Sequence, residues 1–175
     1  MLLVIATLVG LLAVPASAAY TLNDSGSVKI TQDGFGNYLS KKSGGTIGGG
    51  YWQYTSNDGL TGAAYCVNWG LTGVSPSKSL TVQPYNRSPQ TMGAFANGYP
   101  ARTLEQFKQL HQDDVRGIAN LTETEYKYAT QVAVWATCGQ ISVPGTTFTA
   151  GRTAVVEPTA DAQQIRIFDS VKGIL

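Results

Sequence analysis

After an apolar opening, the chain becomes a series of short β-prone runs separated by glycine-rich punctuation. The stretch "SVKITQDGFGNYLSKKSGGTIGGGYWQYTSNDGLTG" predicts strands near Val28–Thr31 and Tyr51–Thr55, with Asn57-Asp58-Gly59 as a turn. "AAYCVNW" predicts a third strand. Period-two alternation sets Tyr65, Val67 and Trp69 on one face and Ala64, Cys66 and Asn68 on the other, so Cys66 is expected mid-strand on the smaller face. "GVSPSKSLTVQPYNRSPQ" reads as a loop with a short strand at Leu80–Val82.

The period then changes. Thr103-Leu104-Glu105-Gln106 matches a capping box, and Leu104, Phe107, Leu110 and Val115 carry an apolar stripe to about Ile118. A second box, Thr122-Glu123-Thr124-Glu125, opens a helix predicted to run to Cys138, with Gly139 as a left-handed cap. "QISVPGTTFTAGRTAVVEP" reads as a hairpin around Pro144-Gly145, and "TADAQQIRIFDSVKGIL" as a closing amphipathic helix. Strands first and helices after, with no repeat and no linker, predict one α+β domain in which a β portion carries an inserted helical portion.

Composition narrows the setting. The first residues, "MLLVIATLVGLLAVPASA", form an apolar run ending in Ala16-Ser17-Ala18, which predicts an export signal over residues 1–18 and a mature domain over 19–175. No Lys or Arg precedes that run, a departure from the usual signal. The run is short for a membrane span, so no insertion is expected once the signal is cut. The abrupt end at Leu175 suggests a domain cut from a longer chain. Charged residues are only 13% and the net charge is +1, which removes the electrostatic case for nucleic acid or an anionic membrane. Two cysteines in an exported chain first suggest a Cys66–Cys138 disulfide. Two cysteines and one histidine at these spacings make no zinc ligand set, and no cofactor is implied.

The second helix poses a different question. Around Gln131 stand Tyr128, Ala129, Val132, Ala133, Val134, Trp135 and Ala136, so the helix is apolar all round and its glutamine is expected to be buried. A buried amide without partners costs about 1–3 kcal/mol. Backbone groups or Thr130 would satisfy it in the simplest case. Gln131 shares a face with Trp135 and with Cys138.

"Tyr65-Cys66-Val67" followed by "Thr130-Gln131-Val132-Ala133-Val134-Trp135" resembles the paired signature of thioester domains from surface adhesins of Gram-positive bacteria. "Gly49-Gly50-Tyr51" and "Asn97-Gly98-Tyr99-Pro100" fit that resemblance, which covers most of the mature chain. It implies a bond between Cys66 Sγ and the side-chain carbonyl carbon of Gln131, with Tyr65, Tyr126, Thr130 and Trp135 as its surroundings. It also implies a secreted, cell-surface protein that captures an amine, such as a lysine on a host surface molecule, once per molecule and without turnover. Nothing in the sequence sets its oligomeric state, and a monomer is expected.

Two rivals remain at this stage. An exported binding module held by a Cys66–Cys138 disulfide excludes the thioester, because Cys66 has one sulfur. A cysteine hydrolase using Cys66 and His111 matches the pattern poorly, since a mid-strand cysteine lacks an exposed elbow and "QLHQDDV" reads as a solvated helix face that also carries Asp113 and Asp114.

Overall fold

The computed structural model describes residues 27–56, 59, 61–67, 69, 78–81, 88–111, 117–149 and 154–175. The expected export signal and the carboxylates Asp113 and Asp114 lie outside these residues. β1 (Ser27–Ser40) and β2 (Thr46–Ser56) form a long antiparallel ribbon, flanked by β3 (Thr61–Ala64) on β2 and β4 (Lys78–Thr81) on β1. The two long strands contain both predicted segments, and their pairing shifts register between Asp33 and Phe35 and again between Gly36 and Leu39. Each shift lets the ribbon bend around what packs on it.

What packs on it is α3 (Glu123–Thr137), the centre of the core. Its capping box forms as the sequence predicts. The Thr122 backbone N–H donates to Glu125 Oε2 at 2.9 Å, and the Glu125 N–H donates to Thr122 Oγ1 at 3.3 Å. Gly139 ends the helix with φ +80°, in the left-handed region that a side chain disfavours. From Glu125 to Ala136 every residue except Lys127 is buried. Tyr128 ties the helix to the ribbon: its hydroxyl accepts from the Leu39 N–H and donates to the Ile47 carbonyl.

Three helices surround α3. α1 (Pro89–Asn97) and α2 (Leu104–His111) precede it, and α4 (Ala162–Ile174) packs along it and against β1. Glu125 joins α3 to α4 with a two-pronged ion pair to Arg166 (2.6 and 3.0 Å) and a bond from Gln163 (2.7 Å). The result is one α+β domain, in agreement with the sequence.

Four local expectations change. The segment before "NGYPAR" is not wholly loop: Ser88 caps α1 by accepting from the Thr91 N–H, and Pro89 fits the first turn, where its missing N–H costs nothing. α2 is described to His111, and Ile118 does not lie on it: Gly117 takes φ +77° and a short 3₁₀ turn (Ile118–Asn120) follows. β5 (Ile141–Ser142) and β6 (Ala154–Val155) pair in parallel, so the predicted hairpin does not form. Gly145 does turn the chain, with φ +79°, and the Val143 N–H donates to the Phe148 carbonyl at 2.8 Å across that turn. No strand pair forms there; Ile141 and Ser142 pair with Ala154 and Val155 instead. The third strand stops at Ala64, where its pairing with Trp52 ends, and so does not carry Cys66.

Candidate functional site

Cys66 lies two residues beyond β3, and its main chain is paired with a side chain instead of a strand. Its N–H donates to Gln131 Oε1 at 2.9 Å, and its carbonyl accepts from Gln131 Nε2 at 2.8 Å. Both ends of the fully buried Gln131 amide are therefore spent on one residue, the one that carries a thiol. Thr130 plays no part in that pairing. Its hydroxyl accepts from the Tyr99 N–H at 3.1 Å and donates to the Tyr126 carbonyl at 2.9 Å, fixing the Asn97–Pro100 stretch over α3.

The close approach depends on Gly49 in β2. A Cβ built there would stand 2.8 Å from two ring carbons of Trp135 and 3.5 Å from Gln131 Cγ. Glycine thus brings the helix face bearing Gln131 and Trp135 down onto the strand. The Trp135 indole N–H finds no acceptor among the described residues.

Aromatic rings close the site. Tyr65 donates its hydroxyl hydrogen to the Tyr99 carbonyl and packs on Phe95 and Tyr51, with ring centroids 5.8 and 5.9 Å apart. Tyr51 and Tyr99 meet edge to face at 5.1 Å, and Tyr99 meets Tyr126 at 6.3 Å. Burial pushes the Tyr65 hydroxyl well above the ordinary tyrosine range, reinforced by Tyr51, Tyr126 and Tyr99 and opposed by a bond to Thr130. Burial raises Tyr126 as well, against the charge of Arg102. Both phenols stay neutral and keep their hydrogens for donation. Tyr126 gives its own to the Asn97 carbonyl at 3.1 Å.

The sequence-predicted residues therefore converge: Cys66, Gln131, Tyr65, Thr130 and Trp135 share one region, with Tyr126 one ring further out. Three contributors were not singled out as site residues in the sequence: Gly49, Tyr51 and Tyr99. Their only signal was the resemblance of the Gly-Gly-Tyr and Asn-Gly-Tyr-Pro stretches.

The two cysteine sulfurs are not joined. Cys138 Sγ faces Thr91 Oγ1 of α1 at 3.7 Å. His111 is half-buried rather than solvated, packed on the Phe107 ring at 4.6 Å and beside Gly173 of α4. Among the described residues no cluster of His, Cys, Asp or Glu is placed to hold a metal ion, and no helix is long and apolar enough to cross a membrane.

Comparison with known proteins bears on the same region. No curated protein matches the chain. A solved structure of the thioester domain of the Enterococcus faecium TIE86 protein aligns with a TM-score of 0.53 and 20% identity, covering 85% of this chain and 48% of that one. The chain thus spans about half the length of that structure, and the likeness is one of fold. A family model, the thioester domain, matches residues 63–166, a span that contains both Cys66 and Gln131. That match takes in more than half of the sequence, and the chain belongs to the thioester domain family.

Proposed function

We propose that Cys66 and Gln131 form an internal thioester, and that the domain uses it at a cell surface, as an adhesin module, to capture an amine-bearing molecule covalently. A lysine on a host surface protein is the natural target. The observation that carries this reading is the double hydrogen bond between the Gln131 carboxamide and the Cys66 main chain. It sets an acyl carbon beside the residue bearing the nucleophile, within a wall of buried and half-buried aromatic rings.

The chemistry follows from that placement. Cys66 Sγ attacks the Gln131 side-chain carbonyl carbon, the C–N bond breaks, and the nitrogen leaves as ammonia. Amides are poor acyl donors to thiols, but fixed geometry supplies effective molarities of about 10⁵–10⁸ M. The Cys66 N–H, 2.9 Å from Oε1, is positioned to stabilise charge developing on that oxygen. Capture repeats the step with a different nucleophile. A neutral amine attacks the same carbon, the C–S bond breaks, an amide forms, and the amine's proton ends on the Cys66 sulfur. Each molecule reacts once.

Intact mass decides it. A thioester shows a mass about 17 Da below that of the sequence and gains about 31 Da with methylamine. Cys66→Ala and Gln131→Ala should each lose both signatures. A deficit of about 2 Da removed by reductant would replace the thioester with a Cys66–Cys138 disulfide. A methylamine adduct that survives in either alanine variant would place the electrophile elsewhere.

A further inference from the structure

One helical turn before Gln131, on the same face of α3, the chain carries a primary amine of its own. Lys127 Nζ packs against two tyrosine rings at once, 4.9 Å from the centroid of Tyr51 and 4.9 Å from that of Tyr99. Its side chain is 14% exposed, and Nζ pairs with Glu123 Oε1 at 3.0 Å on the solvent side. The neighbouring strand carries matching contacts in the opposite direction. Gly49 lies against Gln131 and Trp135, and Tyr51, two residues on, lies against Lys127. Two strand residues span about 6.6 Å and a helical turn about 5.4 Å, so the two steps run in register.

On a helix, side chains four apart start about 5–6 Å apart at Cβ, a gap that a lysine and a glutamine together bridge. An acyl donor at Gln131 would therefore have an internal competitor at an effective concentration no external amine can match. Attack requires the lone pair of the neutral amine. The faces of Tyr51 and Tyr99 and the Glu123 carboxylate all attract the ammonium form, which has none. Tyr65, in contact with Tyr51, is itself held neutral and adds no acceptor charge.

We infer that Tyr51 and Tyr99 are positioning residues that hold Lys127 as an ammonium off the acyl carbon, so that the site takes its amine from another molecule. This rests on the thioester reading of Cys66 and Gln131. The side reaction they suppress is balanced: Lys127 Nζ bonds to the Gln131 carbonyl carbon, the C–S bond breaks, and the Nζ proton passes to Cys66 Sγ. Its product keeps the mass of the thioester, no longer accepts methylamine, and exposes a second free thiol.

The test holds the purified protein free of external amine at about pH 9.5, where more lysine is neutral, and follows methylamine uptake, thiol number and intact mass. The unaltered protein should convert to the inert, two-thiol species without a change in mass. Lys127→Arg should not, and should decay only by hydrolysis, with a gain of about 18 Da. Tyr99→Leu should bring self-capture to neutral pH, at least about tenfold faster than in the unaltered protein. Equal decay to the same products in the unaltered protein and Lys127→Arg would overturn the inference, and that comparison stands even if Tyr99→Leu fails to fold. A folded Tyr99→Leu whose methylamine-reactive fraction persists as long as in the unaltered protein would overturn it too. A missing 17 Da deficit in the unaltered protein would instead remove the thioester reading itself.

Discussion

Gln131 sits in the middle of the most enclosed helix among the described residues, whereas Cys66 sits in irregular chain two residues past a four-residue strand. The helix is fixed many times over: by its capping box, by Tyr128 bonding two strands, by Glu125 bonding α4, and by packing all round. At Cys66 the main chain is held instead by the amide of Gln131. One partner is placed by secondary structure, and the other is placed by the first. Reactive pairs assembled this way should show very unequal responses to substitution.

The largest effect should come from uncoupling α3 from α4. Glu125→Ala leaves the buried side of the Arg166 pair empty and removes half of the capping box, for a loss of about 3–5 kcal/mol in chemical denaturation. The same carboxyl gives a pH signature. Burial alone would raise its pKa, but bonds from Arg166, Thr122 and Gln163 together hold it below the ordinary value. A carboxyl lowered in the fold contributes fully above the ordinary carboxylate range, near pH 4.3, and that contribution fades as pH falls through the lowered value. Glu125→Gln should flatten this part of the acid-unfolding curve.

Next comes the pair itself. Cys66→Ser forms no thioester and keeps both hydrogen bonds, and relative to it Gln131→Leu, which leaves the Cys66 N–H and carbonyl without their partner, should be less stable by about 1–3 kcal/mol. Both should abolish the proposed capture. Equal losses of stability in the two would break the asymmetry described above. Gly49→Ala should cost about 1–3 kcal/mol by forcing Trp135 away, and should slow thioester formation more than it destabilises the fold. Thr103→Ala, at the exposed box of α2 away from the site, should cost about 1 kcal/mol and leave capture unchanged.

The same contrast explains what could be read in the sequence. The start and end of α3 were legible because local residues write them: Thr122 with Glu125 at one end, Gly139 at the other. The burial of Gln131 was legible from its apolar neighbours. The place of Cys66 was not, because alternation in "AAYCVNW" describes a strand that stops once its partner stops, and no local pattern reports a side chain on another element. Only the resemblance joined Cys66 to Gln131. α1 carried its start signal in Ser88-Pro89, but Gly, Asn and Ser around it read as loop. β5 and β6 are two residues each, too short for parallel pairing to show in periodicity.

The bond from Gln131 Nε2 to the Cys66 carbonyl has one further implication. Under the proposed chemistry that nitrogen is the atom discarded as ammonia. The contact that draws the two residues together is thus a temporary former, thrown away when the casting sets. Its oxygen counterpart, the contact from the Cys66 N–H to Oε1, belongs to the acyl group and stays. Maturation then trades a hydrogen bond for a covalent one at the same spot. A spent domain, with its acyl group passed to a new amine, would regain a nitrogen at that position. Intact precursor and used product should therefore resemble each other around the Cys66 carbonyl more closely than either resembles the charged state between them.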